Sequence, residues 1–176
     1  MILQTARLRL DVLEPHHAEL LYAGLRDERL YEFCEDEPPE SVASLAARYA
    51  RLATRRSPDG LEIWLNWSIW ARDEARYVGF AQATILPDRS AQIAYRLVRD
   101  AWGKGYAREA ATAMLAHMRD VREVSEFTAI VDARNKRSIA TLGALGFSGG
   151  QLLATPGRTD LHADDELVYR VRVEPR

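Results

Sequence analysis

A strand that turns through two glycines directly into a helix is the feature that most limits how this chain can fold. Residues 91–98 (AQIAYRLV) have the composition of a strand, and glycines follow at positions 103 and 105. A helix of about fifteen residues then begins near Tyr106, with apolar residues at helical spacing: Ala107, Ala110, Ala111, Met114, Leu115 and Met118. The N–H groups of a first helical turn have no partner within the helix and lie at the positive end of its dipole. This junction therefore predicts an anion site suited to a phosphate or pyrophosphate, with Lys104 adding one charge beside it.

Two well-known phosphate-binding motifs are excluded at this junction. The P-loop pattern of two spaced glycines followed by Lys and Ser or Thr is absent, and the dinucleotide pattern Gly-x-Gly-x-x-Gly fails at Arg108. A turn with two glycines is equally compatible with a connection that binds nothing. Its function therefore has to be judged from the rest of the chain.

The remaining segments predict an α+β domain built around a mostly antiparallel central sheet. We expect strands at residues 7–13, 62–70, 77–86, 91–98, 126–132, 152–155 and 166–173. We expect helices at residues 18–25, at 40–54, after the glycine turn, and from Asn135 to near Gly146. Polar stretches at residues 31–40, 57–60, 72–75, 87–90 and 156–165 predict loops and turns. The prediction is one domain, residues 1–176, with about seven strands flanked by about four helices.

Composition excludes several classes of protein. With a net charge of −2, the chain has no global basic field for binding nucleic acid. Cys34 is the single cysteine and the four histidines are scattered, so we expect neither a disulfide nor a metal site. No apolar run approaches the length of a membrane span, and the opening MILQTARLRL lacks the apolar stretch of a signal peptide, so we expect a cytoplasmic protein with a mature start. Only two of the 24 basic residues are lysines, a bias that favours a bacterial source.

Two segments resemble motifs of the GNAT family of N-acetyltransferases. Residues 95–110, which include WGKGYAREA, are similar to the acetyl-CoA motif of that family, and residues 131–147 (VDARNKRSIATLGALGF) are similar to its next motif. The opening TARLRL is similar to the start of the branch that acetylates ribosomal protein N-termini and related amines. Both motifs lie at the family's usual spacing. The resemblance implies the GNAT fold and acetyl-CoA as the acyl donor.

The resemblance also implies where acetyl-CoA would bind. A bulge near Leu97 would splay two strands apart, and the backbone there would pair with the pantetheine arm and hold the thioester carbonyl. The pyrophosphate would be cradled by N–H groups of the turn, which comprises Gly103, Lys104, Gly105, Tyr106, Ala107 and Arg108. Asn135 would contact the pantetheine, and Ser138 would face the sulfur. Trp102 stands where the family usually has Gln or Arg, so one cationic partner for the phosphates is missing.

The reaction implied is direct transfer to an amine in a ternary complex, which needs a base for the ammonium and an acid for the leaving thiolate. Relatives often carry Glu at the position of Gln92, whose amide cannot accept a proton. Glu62 and the acidic loop at residues 32–37 are possible substitutes, and we assign none of them. Ser138 is the candidate acid, because Leu142 holds the position of the catalytic Tyr of many relatives. The structural alternative is that Asn135 and Ser138 are the N-cap and N3 residues of a helix.

The acceptor stays open at this point, and it is a small-molecule or peptide amine. The acidic residues Glu32, Glu35, Asp36 and Glu37 would attract a cationic amine, although a solvated loop has the same composition. Cys34 has no histidine placed near it in the sequence and is interpreted as an inert thiol. A homodimer is common in the family. Two alternative functions remain: a catalytically silent acyl-CoA-binding or regulatory module, which Gln92 favours, and a phosphate-binding domain unrelated to CoA.

Overall fold

The computed structural model describes residues 1–152 and 166–174. Within these residues eight strands form one sheet: β1 (Leu3–Gln4), β2 (Leu8–Val12), β3 (Ile63–Ala71), β4 (Arg76–Ile85), β5 (Ala91–Leu97), β6 (Glu126–Asp132), β7 (Ser148–Leu152) and β8 (Glu166–Arg172). Four α-helices accompany the sheet in the same residues: α1 (His17–Leu25), α2 (Val42–Leu52), α3 (Tyr106–Arg122) and α4 (Lys136–Ala144). The predicted mixed α+β fold with a mostly antiparallel sheet is confirmed.

The sheet opens between β5 and β6. Strands neighbour one another in the order β1-β2-β3-β4-β5-β6-β8-β7, and each described pair is antiparallel except β5 with β6. The parallel pair is joined only at Ala91 with Phe127 and at Gln92 with Thr128. Beyond these positions β5 stays paired with β4 as far as Leu97, and β6 stays paired with β8 as far as Asp132. The two halves of the sheet therefore diverge like the arms of a V.

Four of the six apolar residues predicted for the stripe of the helix after the glycine turn are buried, and Ala107 and Leu115 are partly buried. Ala110, Ala111, Met114 and Met118 of α3 have no exposed surface, and α3 contacts strands β1, β2, β4 and β5. The helix is 17 residues long, slightly longer than expected. Its packing fixes the position of its first turn at the mouth of the V.

Helix α2 begins slightly later than the sequence predicts because Ser41 caps it. The Ser44 backbone N–H donates to the Ser41 hydroxyl at 3.0 Å, and the Ser41 N–H donates to the Ser44 hydroxyl at 3.1 Å. This reciprocal pair satisfies two donors that a helix start leaves free, so the helix begins at Val42.

The prediction of a strand at residues 152–155 is wrong in its start, because β7 already begins at Ser148. Gly149 and Gly150 have φ values of 128° and 89° and lie at a shift in the register between β7 and β8. Because this strand lacks the β-branched residues that identify strands, the sequence does not predict its start. Residues 153–155 and the predicted loop 156–165 lie outside the described residues. Strand β1 was not predicted, because two residues are too few to show an alternating pattern.

Within residues 1–152 and 166–174, no helix combines the length and apolar character needed to cross a membrane. The same residues contain no group of three His, Cys, Asp or Glu side chains that could hold a metal ion.

Candidate functional site

A cleft of about 640 Å³ fills the V between β5 and β6. Its walls are the diverging halves of the two strands, residues 93–97 and 129–132, and its ends are closed by the first turn of α3 and by α4. A volume of this size is typical of sites for small molecules and cofactors. Because the facing edges of β5 and β6 are unpaired here, their backbone groups are available to a ligand.

The glycine turn lies at one end of the cleft in the conformation that the sequence predicts. Gly103 and Gly105 have φ values of 75° and 79°, which favour glycine, and both line the cleft. No side chain caps α3, whose first turn includes Tyr106, Ala107 and Arg108. The N–H groups of this turn are therefore able to receive an anion.

The N-terminal segment braces this turn. The Arg7 guanidinium donates to the backbone oxygen of Lys104 at 2.9 Å and to the Glu109 carboxylate at 2.7 Å. Glu109 also accepts from the Thr5 hydroxyl at 2.6 Å and from the Arg7 backbone N–H at 2.9 Å. These contacts lower the pKa of Glu109, although burial opposes them. The TARLRL segment at the start of the chain thus stabilises the glycine turn through hydrogen bonds from Thr5 and Arg7.

The charge of Lys104 is directed away from the cleft, contrary to our expectation that it would lie beside the bound phosphate. Its ammonium lies 2.6 Å from the Glu74 carboxylate in the turn between β3 and β4. The hydrogen bond from Lys104 lowers the pKa of Glu74, with Arg76 and Tyr106 contributing in the same direction. Lys104 is therefore held by Glu74 and is not among the residues that line the cleft.

A cation that the sequence analysis missed stands over Trp102. The guanidinium of Arg137, on α4, lies 3.4 Å from the centre of the Trp102 ring, and the Trp102 indole N–H donates to the Leu97 backbone oxygen at 2.9 Å. Arg137 and Arg108 both line the cleft, and neither forms an ion pair within the described part of the chain. Trp102 therefore contacts the end of β5 and stacks against the guanidinium of Arg137. The resemblance implies Gln or Arg at position 102, and here Arg137 supplies a cation instead.

Asn135 and Ser138 are the N-cap and N3 residues of α4, as the structural alternative predicts. The Asn135 side-chain oxygen accepts from the Ser138 backbone N–H at 3.1 Å and caps α4. Both side chains also line the cleft, so the capping role does not remove them from the site.

Tyr95 is a second functional candidate that sequence reasoning missed. Its hydroxyl lies 3.2 Å from the Ser138 hydroxyl, joining β5 to α4 across the cleft. Burial raises the pKa of Tyr95, and hydrogen bonds with Ser138 and Thr141 oppose this shift. The phenol therefore stays protonated at neutral pH. Tyr95 lies on β5 two residues before Leu97, so the two side chains point to the same face of the strand. This spacing is the sequence feature that could have identified Tyr95.

Among residues 1–152 and 166–174, Asp132 is the one carboxylate residue that lines the cleft. The side chain of Gln92 is exposed and lies where β5 and β6 are still paired, at the closed end of the V. Glu62 accepts from the Trp64 indole N–H at 2.9 Å and does not line the cleft. Asp132 does line it, but Arg134 holds its carboxylate at 2.6 Å.

One carboxylate of the acidic loop, Asp36, pairs with two arginines, and all four acidic residues of the loop are exposed. Asp36 accepts from Arg48 at 3.1 Å and from Arg96, on β5, at 3.3 Å. Arg96 also donates to the Cys34 thiol at 3.0 Å and lies 4.3 Å from the centre of the Tyr31 ring. Cys34 and Arg96 both line the cleft, so this loop forms one of its walls.

Comparisons with known proteins agree with this geometry. The sequence model of the acetyltransferase (GNAT) domain matches residues 7–148. The uncharacterized protein YkkB of Bacillus subtilis (strain 168) is 31% identical over an alignment of 99 residues that covers 47% of this chain and 58% of YkkB. The match thus spans less than two thirds of that relative.

Solved structures share the fold along nearly the whole chain. RimL, a ribosomal L7/L12 alpha-N-protein acetyltransferase solved with coenzyme A, has a TM-score of 0.85 at 15% identity, with 100% of both chains covered. An acetyltransferase of Salmonella typhimurium that modifies the N-terminal serine of L7/L12 has a TM-score of 0.81 at 15% identity, with 99% of this chain and 100% of that chain covered.

The region that the family model matches includes β5, the glycine turn, α3, β6 and α4, which together build the cleft. The resemblance identified from the two sequence motifs is therefore confirmed by a match that spans most of the chain. The chain belongs to the GNAT acetyltransferase family.

Proposed function

We propose that this protein is an acetyl-CoA-dependent N-acetyltransferase that acts on a primary amine by direct attack in a ternary complex. The observation that carries the proposal is the divergence of β5 and β6 after two paired positions. An ordinary parallel pair would continue along both strands and bury the edges that here line a cleft of about 640 Å³.

The residues that line the cleft fit acetyl-CoA. The uncapped first turn of α3 and the guanidinium groups of Arg108 and Arg137 suit the phosphates, because helix N-termini and arginines both bind such anions. The free edge of β5 near Leu97 suits the amide groups of the pantetheine arm. When bound, acetyl-CoA supplies the acetyl thioester that the amine attacks.

Tyr95 and Ser138 are the proposed source of the proton for the departing thiolate. A phenol whose pKa is raised by burial keeps its proton until a stronger base forms beside it. Their hydroxyls are 3.2 Å apart, so a proton given by Ser138 is replaced from Tyr95. Backbone N–H groups on the free edge of β5 would hold the oxyanion.

The amine must reach the site as its free base, because Gln92 cannot accept a proton. We assign the removal of this proton to water. The amine nitrogen forms its bond to the acetyl carbon and gives up a further proton to water as the amide forms. The electron pair of the broken carbon–sulfur bond stays with sulfur, which takes a proton from Ser138, and Tyr95 regains its proton from water. The rate should therefore rise with pH as the free-base fraction of the amine increases.

A second candidate function is a catalytically silent acyl-CoA-binding or regulatory module, which the exposed Gln92 favours. Release of free thiol from acetyl-CoA, measured with a panel of small amines and N-terminal peptides, separates the two. Thiol release that depends on the amine supports the enzyme. Binding of acetyl-CoA with no release for any amine, in both the native chain and Gln92→Glu, supports the silent module.

A further inference from the structure

A second cavity, of about 260 Å³, shares the side chain of Arg96 with the acetyl-CoA cleft. Much of its lining is apolar and comes from Leu13, Leu25, Leu45, Leu52, Phe80 and Pro39. Arg96 is the residue common to the two linings. A molecule in this cavity therefore lies one side chain away from the thioester site of the proposed function.

The hydroxyl of Tyr49 is a buried donor without a partner in this cavity. Tyr49 is 2% exposed and lines the cavity, and its hydroxyl has no hydrogen-bond partner among residues 1–152 and 166–174. Burial raises the pKa of Tyr49, so the phenol keeps its proton and acts as a donor. Because buried polar groups in folded proteins are nearly always hydrogen-bonded, this hydroxyl indicates a ligand that accepts from it.

Two arginines in the same cavity share a single carboxylate. Arg48 and Arg96 lie 3.1 and 3.3 Å from the same oxygen of Asp36, so one carboxylate oxygen serves two guanidinium groups. Both guanidinium groups are close enough to Tyr49 to oppose the rise in its pKa. Arg48, Tyr49 and Arg96 thus supply donors to one cavity, and a carboxylate is the group that matches them.

The cavity also holds two negative charges. Glu37 and Glu40 contribute to the lining, so a ligand that carried only negative charge would be repelled. An α-amino acid carries both charges, so its carboxylate pairs with the arginines and its ammonium is attracted by Glu37 and Glu40 before it loses a proton to water. In an α-amino acid the amine is two bonds from the carboxyl carbon. When Arg96 binds the carboxylate, the amine of the same molecule therefore lies close to Arg96, the residue that lines both the cavity and the cleft.

We propose that this second cavity is the acceptor subsite and that it selects a free α-amino acid with an apolar side chain, whose carboxylate is bound by Arg48, Arg96 and the Tyr49 hydroxyl. The inference rests on the proposed acetyltransferase function and narrows its acceptor. It also separates this chain from enzymes that act on protein N-termini, since an N-terminal residue has no free carboxylate.

The test compares acceptors with the same apolar body. L-leucine, L-leucinamide and 3-methylbutylamine are supplied with acetyl-CoA, and kcat/KM is measured by thiol release, with a short peptide that begins with leucine as the fourth acceptor. We expect kcat/KM for L-leucine to exceed the other three values by about tenfold or more, because only L-leucine pairs with all three donors. An equal or higher value for the amide, the amine or the peptide overturns the inference and leaves the acetyltransferase function standing.

The variant Tyr49→Phe tests the assigned donor. The Tyr49 hydroxyl has no partner to lose, so the melting temperature should be equal to that of the native chain or higher. We expect kcat/KM for L-leucine to fall by about tenfold and the value for 3-methylbutylamine, which has no carboxylate, to fall by much less. An equal loss for both acceptors contradicts the assignment of Tyr49 to a carboxylate.

Binding distinguishes failure of this inference from failure of the proposed function. Calorimetric titration of L-leucine into the protein saturated with CoA should show one site. Binding of CoA without binding or acetylation of L-leucine overturns the subsite alone. A chain that binds neither CoA nor acetyl-CoA overturns the acetyltransferase function, and the subsite with it.

Discussion

The hydroxyl of Tyr95 lies 3.2 Å from the hydroxyl of Ser138, although the two residues are 43 positions apart in the chain. One residue belongs to β5 and the other to α4, so this contact crosses the cleft between the diverging strands. It places a protonated phenol and an alcohol together at the wall where we propose that the thiolate leaves.

Removal of either hydroxyl should slow the chemical step. We expect Tyr95→Phe and Ser138→Ala each to lower kcat by about tenfold to a hundredfold, with little change in KM for acetyl-CoA, because the pair acts on the leaving group. Steady-state kinetics at pH 7.5 measures both constants. Thr112→Ala is the matched control, since the Thr112 hydroxyl is exposed and donates to its own helix at the Arg108 oxygen. A kcat within twofold of the native value for both cleft variants would remove the pair from the mechanism.

Arg137 should contribute to the affinity for CoA. Its guanidinium is exposed, so the loss in Arg137→Ala should be moderate, about threefold to tenfold in Kd, and should shrink as salt is raised. Calorimetric titration of CoA at two salt concentrations measures this. The neighbouring Lys136→Ala provides the control, because the Lys136 ammonium donates to the backbone oxygen of Ala133 and does not line the cleft. Equal losses in the two variants would show that Arg137 acts only through general charge.

Gly79 should be needed for the pairing of β4 with β5 next to the cleft. It has a φ of 151°, and an added Cβ would collide with the Arg96 backbone oxygen and the Leu97 Cα. We expect Gly79→Ala to cost about 2–3 kcal/mol, which for a chain of this size lowers Tm by about 5 to 10 °C. The control is Gly60→Ala, where φ is 75° and the space around the Cβ is open, so the cost should be about 1 kcal/mol. Thermal unfolding of the two variants gives the comparison, and equal losses would contradict the steric explanation.

Stability should decrease as the pH falls below about 6.5 because of two buried histidines. The pKa of His17 is lowered by burial and by the neighbouring His16, and the pKa of His117 is lowered by burial and by Arg122. His17 Nδ1 accepts from the Glu14 N–H at 3.0 Å, so protonation there removes an acceptor.

The sign follows from linkage. Below the unfolded pKa near 6.5 the unfolded chain binds protons that the folded chain does not, so the free energy of unfolding falls until the lower folded pKa is reached. Urea unfolding at pH 7.5 and pH 5.5 measures the change. His17→Gln and His117→Gln should each flatten it, and an unchanged slope in both variants would refute this origin.

Much of the fold was predictable because the signals are local. The apolar stripe of α3, the turn residues at 57–60 and the capping spacing of Asn135 and Ser138 depend on neighbours in the sequence, and the structure confirms each of them. Strand β7 begins at Ser148, before the start at residue 152 that the sequence predicts. Its register depends on Gly149 and Gly150, and glycines do not indicate a strand.

The site was predictable in its backbone and less so in its side chains. The glycine turn could be identified because its two glycines and the helix that follows are consecutive. The pairing of Lys104 with Glu74 and the contact of Tyr95 with Ser138 join residues 30 and 43 positions apart, and no local pattern reports such contacts. The same holds for the sharing of Asp36 by Arg48 and Arg96, which joins residues 12 and 60 positions apart.

The most direct test of the central claim is thermal unfolding of the native chain with CoA, with acetyl-CoA and with ATP. A ligand at about 100 times its Kd adds about 2.7 kcal/mol, which corresponds to a rise in Tm of about 5 to 10 °C. We predict this rise with CoA and acetyl-CoA and not with ATP, since the pantetheine arm must lie along the free edge of β5. No rise with either CoA form, or an equal rise with ATP, would contradict the assignment of the cleft between β5 and β6 to acetyl-CoA.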